Sequence, residues 1–280
     1  MQKLFKPLLA TESPNYVRAI DVDTVIATDI GRRKEQQDAA AHFLLHRGHA
    51  SLAVVADGMG GFGGGGLASQ LLVEACAQFA REYAYQKVSN PYNMLQQIMK
   101  AAHHAMHDAA TDHSFRPHAT CALLYLDQNC AHWAHIGDCR VYQWNGASIK
   151  HTKDHSIVQK LFDEGKIRAD EMAKHPEQHK VLRALGMKVD IPKFDYGCCH
   201  STNGFTFLLC SDGFWGNLSH DEVSSLMQAA DLKKSLSERI LLAKSQADAH
   251  CDNITALLCR SVADDDDDDD DNEVISIVPN

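Results

Sequence analysis

An apolar run that ends in one carboxylate, followed by a dense glycine stretch, constrains this chain more than any other feature. Residues 52–56 (LAVVA) are apolar, Asp57 follows them, and seven of the next nine residues are glycine. The run predicts a buried strand, and the glycines allow close backbone approach and positive φ angles. On these residues alone, two interpretations stay open: a flexible loop, or a ligand site that begins at Asp57.

Periodicity elsewhere predicts a strand-rich domain with helical pairs. Apolar and β-branched runs predict strands over 22–30, up to about 45, 50–56, several between 118 and 150, 205–210 and 254–260. Helical spacing of apolar residues predicts pairs at 66–86 with 94–109, and at 219–230 with 233–249. The polar segment 154–186 is interpreted as a helical surface excursion. Because the strands cluster and do not alternate with single helices, we expect one α+β domain over residues 1–263.

The charge distribution argues against a nucleic-acid partner. The net charge is −10, but Asp264–Asp271 contributes eight of the negative charges, so the remainder carries −2. A nearly neutral domain without a basic stripe does not suit a phosphate backbone. Residues 264–280 are predicted to be an acidic, disordered tail. No segment has the apolar length of a signal peptide or a membrane span, so we expect a cytoplasmic protein without a membrane partner.

Cysteine and histidine spacing gives little sign of a metal site. The nine cysteines lack C-x-x-C spacing and are interpreted as reduced, small core residues, including the adjacent Cys198 and Cys199. His103 and His107 have the i, i+4 spacing that can bind zinc, yet position 104 is His and no glutamate accompanies them. A solvent-exposed helix face is therefore favoured over a zinc site.

Five aspartates lie beside predicted strands. Three end strands, one precedes the final strand, and one lies in the polar link after the first strand: Asp57, Asp138, Asp212, Asp252 and Asp38. We expect them to converge at a common edge, where their charges would repel one another unless divalent cations lay between them. Oxygen ligands favour Mg²⁺, Mn²⁺ or Ca²⁺.

Two such ions suit phosphoryl chemistry, since they polarise a phosphoryl oxygen and activate water. A nearby arginine would hold the phosphate through its planar fork, and Arg33 or Arg32 is suitably placed in the link. The alternative is that these arginines only form part of a charged loop.

Eight segments, taken in chain order, resemble the metal-dependent serine/threonine protein phosphatases of type 2C in their bacterial form. They are TDIGRRKEQQD (28–38), VADGMGG (55–61), HIGDCRVY (135–142), KDHS (153–156), HP (175–176), RALG (183–186), LLCSDGFW (208–215) and DNIT (252–255). The resemblance covers about residues 22–262. It implies two antiparallel β-sheets packed as a central sandwich, with helical pairs on both outer faces.

The resemblance also implies a role for each site residue. It implies that Asp57 bridges two core ions. The Gly58 carbonyl and Asp38 would bind one of these ions, and Asp212 and Asp252 would bind the other. Asp138 would bind a third, weaker ion, and Arg33 would bind the phosphate. The implied cofactor is Mn²⁺ or Mg²⁺. The implied substrates are phosphorylated proteins, and the enzyme would be a monomer that opposes a bacterial serine/threonine kinase. The flap, which lies within residues 154–186, would contact the phosphoprotein.

The chain departs from these relatives at Met59 and Phe62, where relatives place a histidine that is a candidate to protonate the leaving alcohol. General acid catalysis typically contributes about 10²- to 10⁴-fold, so we expect slow turnover of phosphoserine or another source of the proton. Two alternatives to the phosphatase remain: a catalytically weak phosphoprotein-binding regulator with the same fold, and a hydrolase of small phosphoesters.

Overall fold

The computed structural model describes residues 22–60, 63–110, 115–172, 175–187, 190–200, 204–247 and 251–261. Phe62 and the predicted tail at 264–280 lie outside the described residues. The strands are β1 (Val22–Asp29), β2 (Asp38–Leu45), β3 (Ala50–Met59), β4 (His118–Asp127), β5 (Cys130–Ile136), β6 (Arg140–Trp144), β7 (Ile149–His151), β8 (Asp195–His200), β9 (Thr206–Cys210) and β10 (Ile254–Ser261). The helices are α1 (Gly64–Glu82), α2 (Pro91–Ala109), α3 (Ile157–Asp163), α4 (Ala169–Met172), α5 (Asp212–Trp215), α6 (His220–Met227) and α7 (Leu232–Gln246).

The strands form two five-stranded sheets, in which the paired strands run antiparallel. The first sheet has the order β1-β10-β9-β6-β7, and the second has the order β2-β3-β4-β5-β8. Sheet-to-sheet packing places one apolar cluster between the sheets, with Val55, Leu124 and Leu257 among its members. The predicted sandwich of antiparallel sheets is therefore confirmed.

Each sheet is covered on its outer face by helices. Leu72 of α1 and Ile98 of α2 pack with Leu123 of the second sheet. Leu226 of α6 and Leu236 of α7 pack against the first sheet. Both helical pairs were expected from their apolar spacing, because an amphipathic helix gains stability mainly by burying its apolar stripe.

Local sequence explains where these helices begin. Asn90 accepts a hydrogen bond from the Asn93 backbone N–H, and Pro91 occupies the first turn of α2. Ser219 and Glu222 form a reciprocal capping box at the start of α6. These caps satisfy backbone donors that a helix start leaves without internal partners.

Two expectations from sequence are wrong in detail, and strand β8 was not predicted. His103 does not lie on an exposed face: its side chain is fully buried and its Nδ1 accepts a hydrogen bond from the Gly186 N–H at 3.1 Å. Cys199 is buried as expected, but its neighbour Cys198 is only half-buried, because successive side chains of a strand point to opposite faces.

Among the described residues, no helix combines the length and apolar character needed to cross a membrane.

Candidate metal centre

Strand ends from both sheets meet at one end of the sandwich and carry the predicted aspartates. Asp38 begins β2 and lies directly opposite Asp57 in the antiparallel β2–β3 ladder. Asp212 follows β9 at the start of α5, and Asp252 lies just before β10, the neighbour of β9. Asp138 occupies the turn from β5 to β6, where the chain passes from one sheet to the other.

The Asp38–Asp57 half of the centre is fixed mainly by strand pairing. Register alone places these two carboxylates on neighbouring strands. The Ser211 hydroxyl, from the other sheet, donates to Asp38 Oδ2 at 2.7 Å. The Gly58 N–H donates to the Gln37 carbonyl at 3.1 Å. The position of this half therefore follows mainly from backbone hydrogen bonds, with support from side chains that include Ser211 and Gln36, whose Oε1 accepts the Asp38 N–H at 3.2 Å.

Asn253 is a structural residue of this region that the sequence analysis missed. Its side chain is 3% exposed, and its Oδ1 accepts the Gln37 N–H at 2.8 Å. Its Nδ2 donates to the carbonyls of Ile30 and Glu35 at 2.9 and 3.1 Å. These three bonds tie the link between β1 and β2 to the start of β10. The only available sequence signal was a polar residue directly before a buried strand.

Arg33 lies at the rim of the centre. Its Nη2 lies 2.6 Å from Asp252 Oδ2, and its side chain is 54% exposed. Gly31 makes the approach possible: its φ is +65°, and a Cβ there would lie 2.0 Å from the Asp252 carbonyl oxygen. The guanidinium is thus held beside the carboxylates while still reaching solvent.

The glycine stretch serves close packing where it is described. A Cβ at Gly65 would lie 2.6 Å from the Gly58 carbonyl oxygen, and a Cβ at Gly58 would lie 1.9 Å from the Gly65 carbonyl oxygen. The first turn of α1 therefore touches the end of β3 backbone to backbone, as only glycine permits. This contact argues against the flexible-loop interpretation for the described part of the stretch.

Side chains hold the other half of the centre, around Asp138. His155 forms two hydrogen bonds with Gly137. Its backbone N–H donates to the Gly137 carbonyl at 2.8 Å, and its Nδ1 accepts the Gly137 N–H at 3.1 Å. The Trp215 Nε1–H donates to the Asp138 carbonyl at 2.9 Å. Arg140 stacks 3.4 Å above the centre of the Trp215 ring and forms a bidentate pair with Asp154 at 2.8 and 2.7 Å.

Electrostatics show that the carboxylates share one environment. The pKa of Asp38 is raised to about 7, chiefly by burial; the charges of Asp212 and Asp252 add to the shift, and hydrogen bonds from Ser211 and Thr255 oppose it. Burial also raises the pKa of Asp57 well above its ordinary value, with added repulsion from the other four aspartates. Asp138 shows the same upward shift, from burial first and from Asp212 second.

This region fits divalent cations. Asp138 is 5% exposed, and its Oδ1 has no hydrogen-bond partner. A buried oxygen without a partner is costly, and so is a group of carboxylates that repel one another. Cations coordinated by oxygen would relieve both costs. The donor set of carboxylates and a glycine carbonyl suits Mg²⁺ or Mn²⁺ better than a thiophilic metal.

The flap reaches this centre through a residue that sequence reasoning did not select. His179 lies between α4 and β8, and its Nδ1 is 3.8 Å from Asp212 Oδ2. The contact with Asp212 raises the pKa of His179. Its side chain is 76% exposed, so this histidine faces both the carboxylates and the solvent from which a substrate would arrive.

A second group of possible metal ligands lies beside Gly137 and consists of His135, His155 and Asp195. Their ligand atoms lie within 4.8 Å of one another. However, His155 Nδ1 accepts the Gly137 N–H, so neutral His155 carries its proton on Nε2, which lies 3.3 Å from Asp195 Oδ1. That proton occupies the lone pair a metal would need, and the group is better described as a hydrogen-bonded support for Gly137.

Comparison with known proteins matches this geometry to a family. A family model described as Protein phosphatase 2C matches residues 28–252, which span all the predicted ligands. Protein phosphatase PhpP of Streptococcus pneumoniae is 26% identical over 243 residues, covering 86% of this chain and 98% of PhpP.

Solved structures share the fold. A Streptococcus agalactiae serine/threonine phosphatase superposes with a TM-score of 0.76 at 23% identity, covering 86% of this chain and 99% of that one. The catalytic domain of the serine/threonine protein phosphatase PstP, solved in complex with two manganese ions, gives a TM-score of 0.73 at 26% identity, covering 86% of this chain and 98% of that one.

Proposed function

The chain belongs to the protein phosphatase 2C family, and from this premise we propose that it hydrolyses phosphoserine and phosphothreonine in proteins at the aspartate centre. One observation carries the proposal: five aspartates from separate elements of both sheets converge, and burial together with the charges of neighbouring aspartates raises the pKa values of Asp38, Asp57 and Asp138. Structures within the same fold include one with two manganese ions. We therefore propose Mn²⁺ or Mg²⁺ as the cofactor, with two core ions and a third near Asp138.

The proposed roles follow the placement of each residue. Asp57 would bridge the core ions, Asp38 and the Gly58 carbonyl would hold one, and Asp212 and Asp252 would hold the other. When bound, the ions supply Lewis acidity to the phosphoryl group and activate water. Arg33 would orient the phosphoryl oxygens, since a guanidinium binds them in bidentate fashion and this one is exposed beside Asp252.

The finer assignments are also part of the proposal. We infer a monomeric enzyme of the cytoplasm that opposes a serine/threonine kinase, with its flap over 154–186 contacting the phosphoprotein. The exposed His179 in that flap supports such a contact. Deleting residues 264–280 is expected to leave hydrolysis of p-nitrophenyl phosphate unchanged, because the proposed catalytic domain ends at residue 263. A large loss would show that the tail is structural.

The test measures phosphate release from phosphoserine and phosphothreonine peptides with Mn²⁺, with Mg²⁺ and with EDTA. We expect activity only with the ions, and a near-complete loss in Asp57→Ala and Asp212→Ala. Asp23→Asn is the matched control, since this exposed aspartate lies on β1. Activity in EDTA, or activity that survives both substitutions, would falsify the two-ion scheme.

The same assay separates the alternatives. A phosphoprotein-binding regulator would bind phosphopeptide with negligible turnover, and a small-ester hydrolase would cleave p-nitrophenyl phosphate but spare peptides. Phe62→His adds a test of the missing histidine: a selective rise in peptide turnover over p-nitrophenyl phosphate is expected if a general acid is lacking. An unchanged ratio would contradict that idea.

A further inference from the structure

Strands β5 and β8, which pair at the edge of the second sheet, each carry the pattern Cys-x-His. This pattern differs in chemistry from the aspartate centre. Cys130-Ala131-His132 lies on β5, and Cys198-Cys199-His200 lies on β8. The antiparallel register sets Cys130 opposite His200 and His132 opposite Cys198. Side chains two apart on a strand share a face, and directly opposed side chains have Cβ atoms about 4.5–5.5 Å apart. Two thiols and two imidazoles therefore occupy one small square of the sheet surface.

Within the square, one thiol and one imidazole are in contact. Cys130 Sγ lies 3.1 Å from His132 Nε2. The other ring nitrogen, Nδ1, contacts the Tyr196 hydroxyl, and that hydroxyl also bonds with Cys198. In metal-binding histidines, the ring nitrogen that does not bind the metal is commonly held by a hydrogen bond, which fixes the orientation of the ring. The Tyr196 hydroxyl holds Nδ1 of His132 in this way and leaves Nε2 facing Cys130.

We propose that Cys130, His132, Cys198 and His200 form a binding site for a thiophilic transition-metal ion of the Zn²⁺ class. Cysteine thiolate and imidazole are the preferred ligands of such ions, at about 2.3 Å and about 2.0–2.1 Å respectively. The 3.1 Å separation of the Cys130 and His132 atoms suits two ligands on one ion. Binding replaces the two thiol protons, which are released to solvent as the two metal–sulfur bonds form.

The surroundings set the protonation state of Cys130 before a cation binds. Burial raises the pKa of the Cys130 thiol to about 12, and the nearby Asp127 carboxylate contributes to the shift. The thiol thus keeps its proton until a cation replaces it. Access is open, because Cys130, His132 and Cys198 are half-buried and His200 is exposed.

The site has a structural consequence for the region after the flap. In the described sheets, β8 is an edge strand that pairs only with β5. A metal ion bound by residues from both strands would fasten this edge. It is chemically independent of the aspartate centre, whose oxygen ligands select hard cations.

Cobalt titration of the full-length protein under a phosphine reductant tests the proposal. We expect about one equivalent of Co²⁺ to produce thiolate-to-cobalt charge-transfer absorption, which the oxygen ligands of the aspartate centre do not give. Zn²⁺ should displace the cobalt and raise the midpoint of thermal unfolding. The absorption should be lost in Cys130→Ser and in Cys198→Ser, and Tyr196→Phe should weaken binding about 10- to 100-fold.

Cys199→Ala is the matched control, because Cys199 neighbours Cys198 but points to the core between the sheets. It should retain the absorption, and all variants should retain Mn²⁺-dependent hydrolysis of p-nitrophenyl phosphate. Absence of the band in wild-type protein, or a band that survives both serine substitutions, would overturn the proposal. So would mass spectrometry that finds a Cys130–Cys198 disulfide persisting under the reductant.

Discussion

The two halves of the aspartate centre are built by different means. Asp38 and Asp57 face each other across the β2–β3 ladder, so backbone hydrogen bonds position them. Asp138 lies in a turn that depends on side chains, chiefly His155 on Gly137 and Trp215 on the Asp138 carbonyl. We therefore expect the ladder half to tolerate most single substitutions outside the ligands, and the turn half to depend on a few replaceable groups.

The turn half is also coupled to the flap. His155 directly precedes Ser156, whose side chain caps α3 by accepting the Gln159 N–H. Its imidazole contacts Asp195, the first residue of β8 after the flap. A change in the flap therefore reaches Asp138 through the His155 side chain, whereas the flap meets the ladder half through backbone hydrogen bonds between Leu185 and Ala119, the β4 partner of Gly58.

Asp57→Asn gives the largest expected effect. Activity should fall by at least about 10³-fold, as expected for a residue at the reacting centre. Metal-free protein should unfold at a higher temperature than wild type, because the substitution removes a buried charge repelled by four others. Steady-state kinetics and thermal unfolding in EDTA measure the two effects. Unchanged activity would remove Asp57 from the centre.

Asn253→Ala tests how far the ladder half depends on the hydrogen bonds of the buried Asn253 side chain. Three hydrogen bonds to backbone groups are lost, and the expected loss in unfolding free energy is about 2–4 kcal/mol. Urea unfolding measures it, with Asn217→Ala as the control for a less buried asparagine. A loss below that of the control would show that the link from β1 to β2 needs no such anchor.

His155→Ala tests the turn half. Loss of the Gly137 bond should cost about 1–3 kcal/mol and raise the Mn²⁺ concentration needed for half-maximal activity. His155→Asn should restore much of that Mn²⁺ dependence, since its Oδ1 can replace Nδ1 as the acceptor. His151→Ala, an exposed histidine nearby, should behave as wild type. Equal Mn²⁺ dependence in all variants would disconnect His155 from Asp138.

Lys244→Met gives the smallest expected effect and concerns the ion pair between Lys244 of α7 and Asp29 of β1. Lys244 Nζ lies 2.8 Å from Asp29 Oδ1, and this hydrogen bond lowers the pKa of Asp29. A carboxyl with a lowered folded-state pKa contributes stability above its unfolded pKa of about 3.9, and loses it as the pH falls through the folded value. The variant should lose less than about 1 kcal/mol at pH 7, since Lys244 is 40% exposed.

Unfolding free energies at pH 7 and at pH 2 test this pair. The difference between wild type and Lys244→Met should vanish at the acid pH. A difference that persists there would assign the effect to packing of the lysine stem.

Sequence reasoning predicted most of the strands and both helical pairs because their periodicities are local, and the resemblance to one phosphatase family implied the sandwich. It failed for β8, where Asp195–His200 lacks a long apolar run and gains its strand conformation from pairing with β5. It failed for His103, since burial depends on Gly186 arriving from a distant segment. It also missed Asn253, whose partners at Ile30, Glu35 and Gln37 are brought to it only by the fold.

By itself, the sequence determined the kinds of groups available: an aspartate after an apolar run, glycines where backbones must touch, and ordered segments resembling one phosphatase family. Only the tertiary structure decided which groups meet. Strand register set Asp38 opposite Asp57 and Cys130 opposite His200. Register joins residues far apart in the chain, and a shift of one residue would turn each side chain to the other face; hydrophobic periodicity specifies the buried face but not the partner across the ladder.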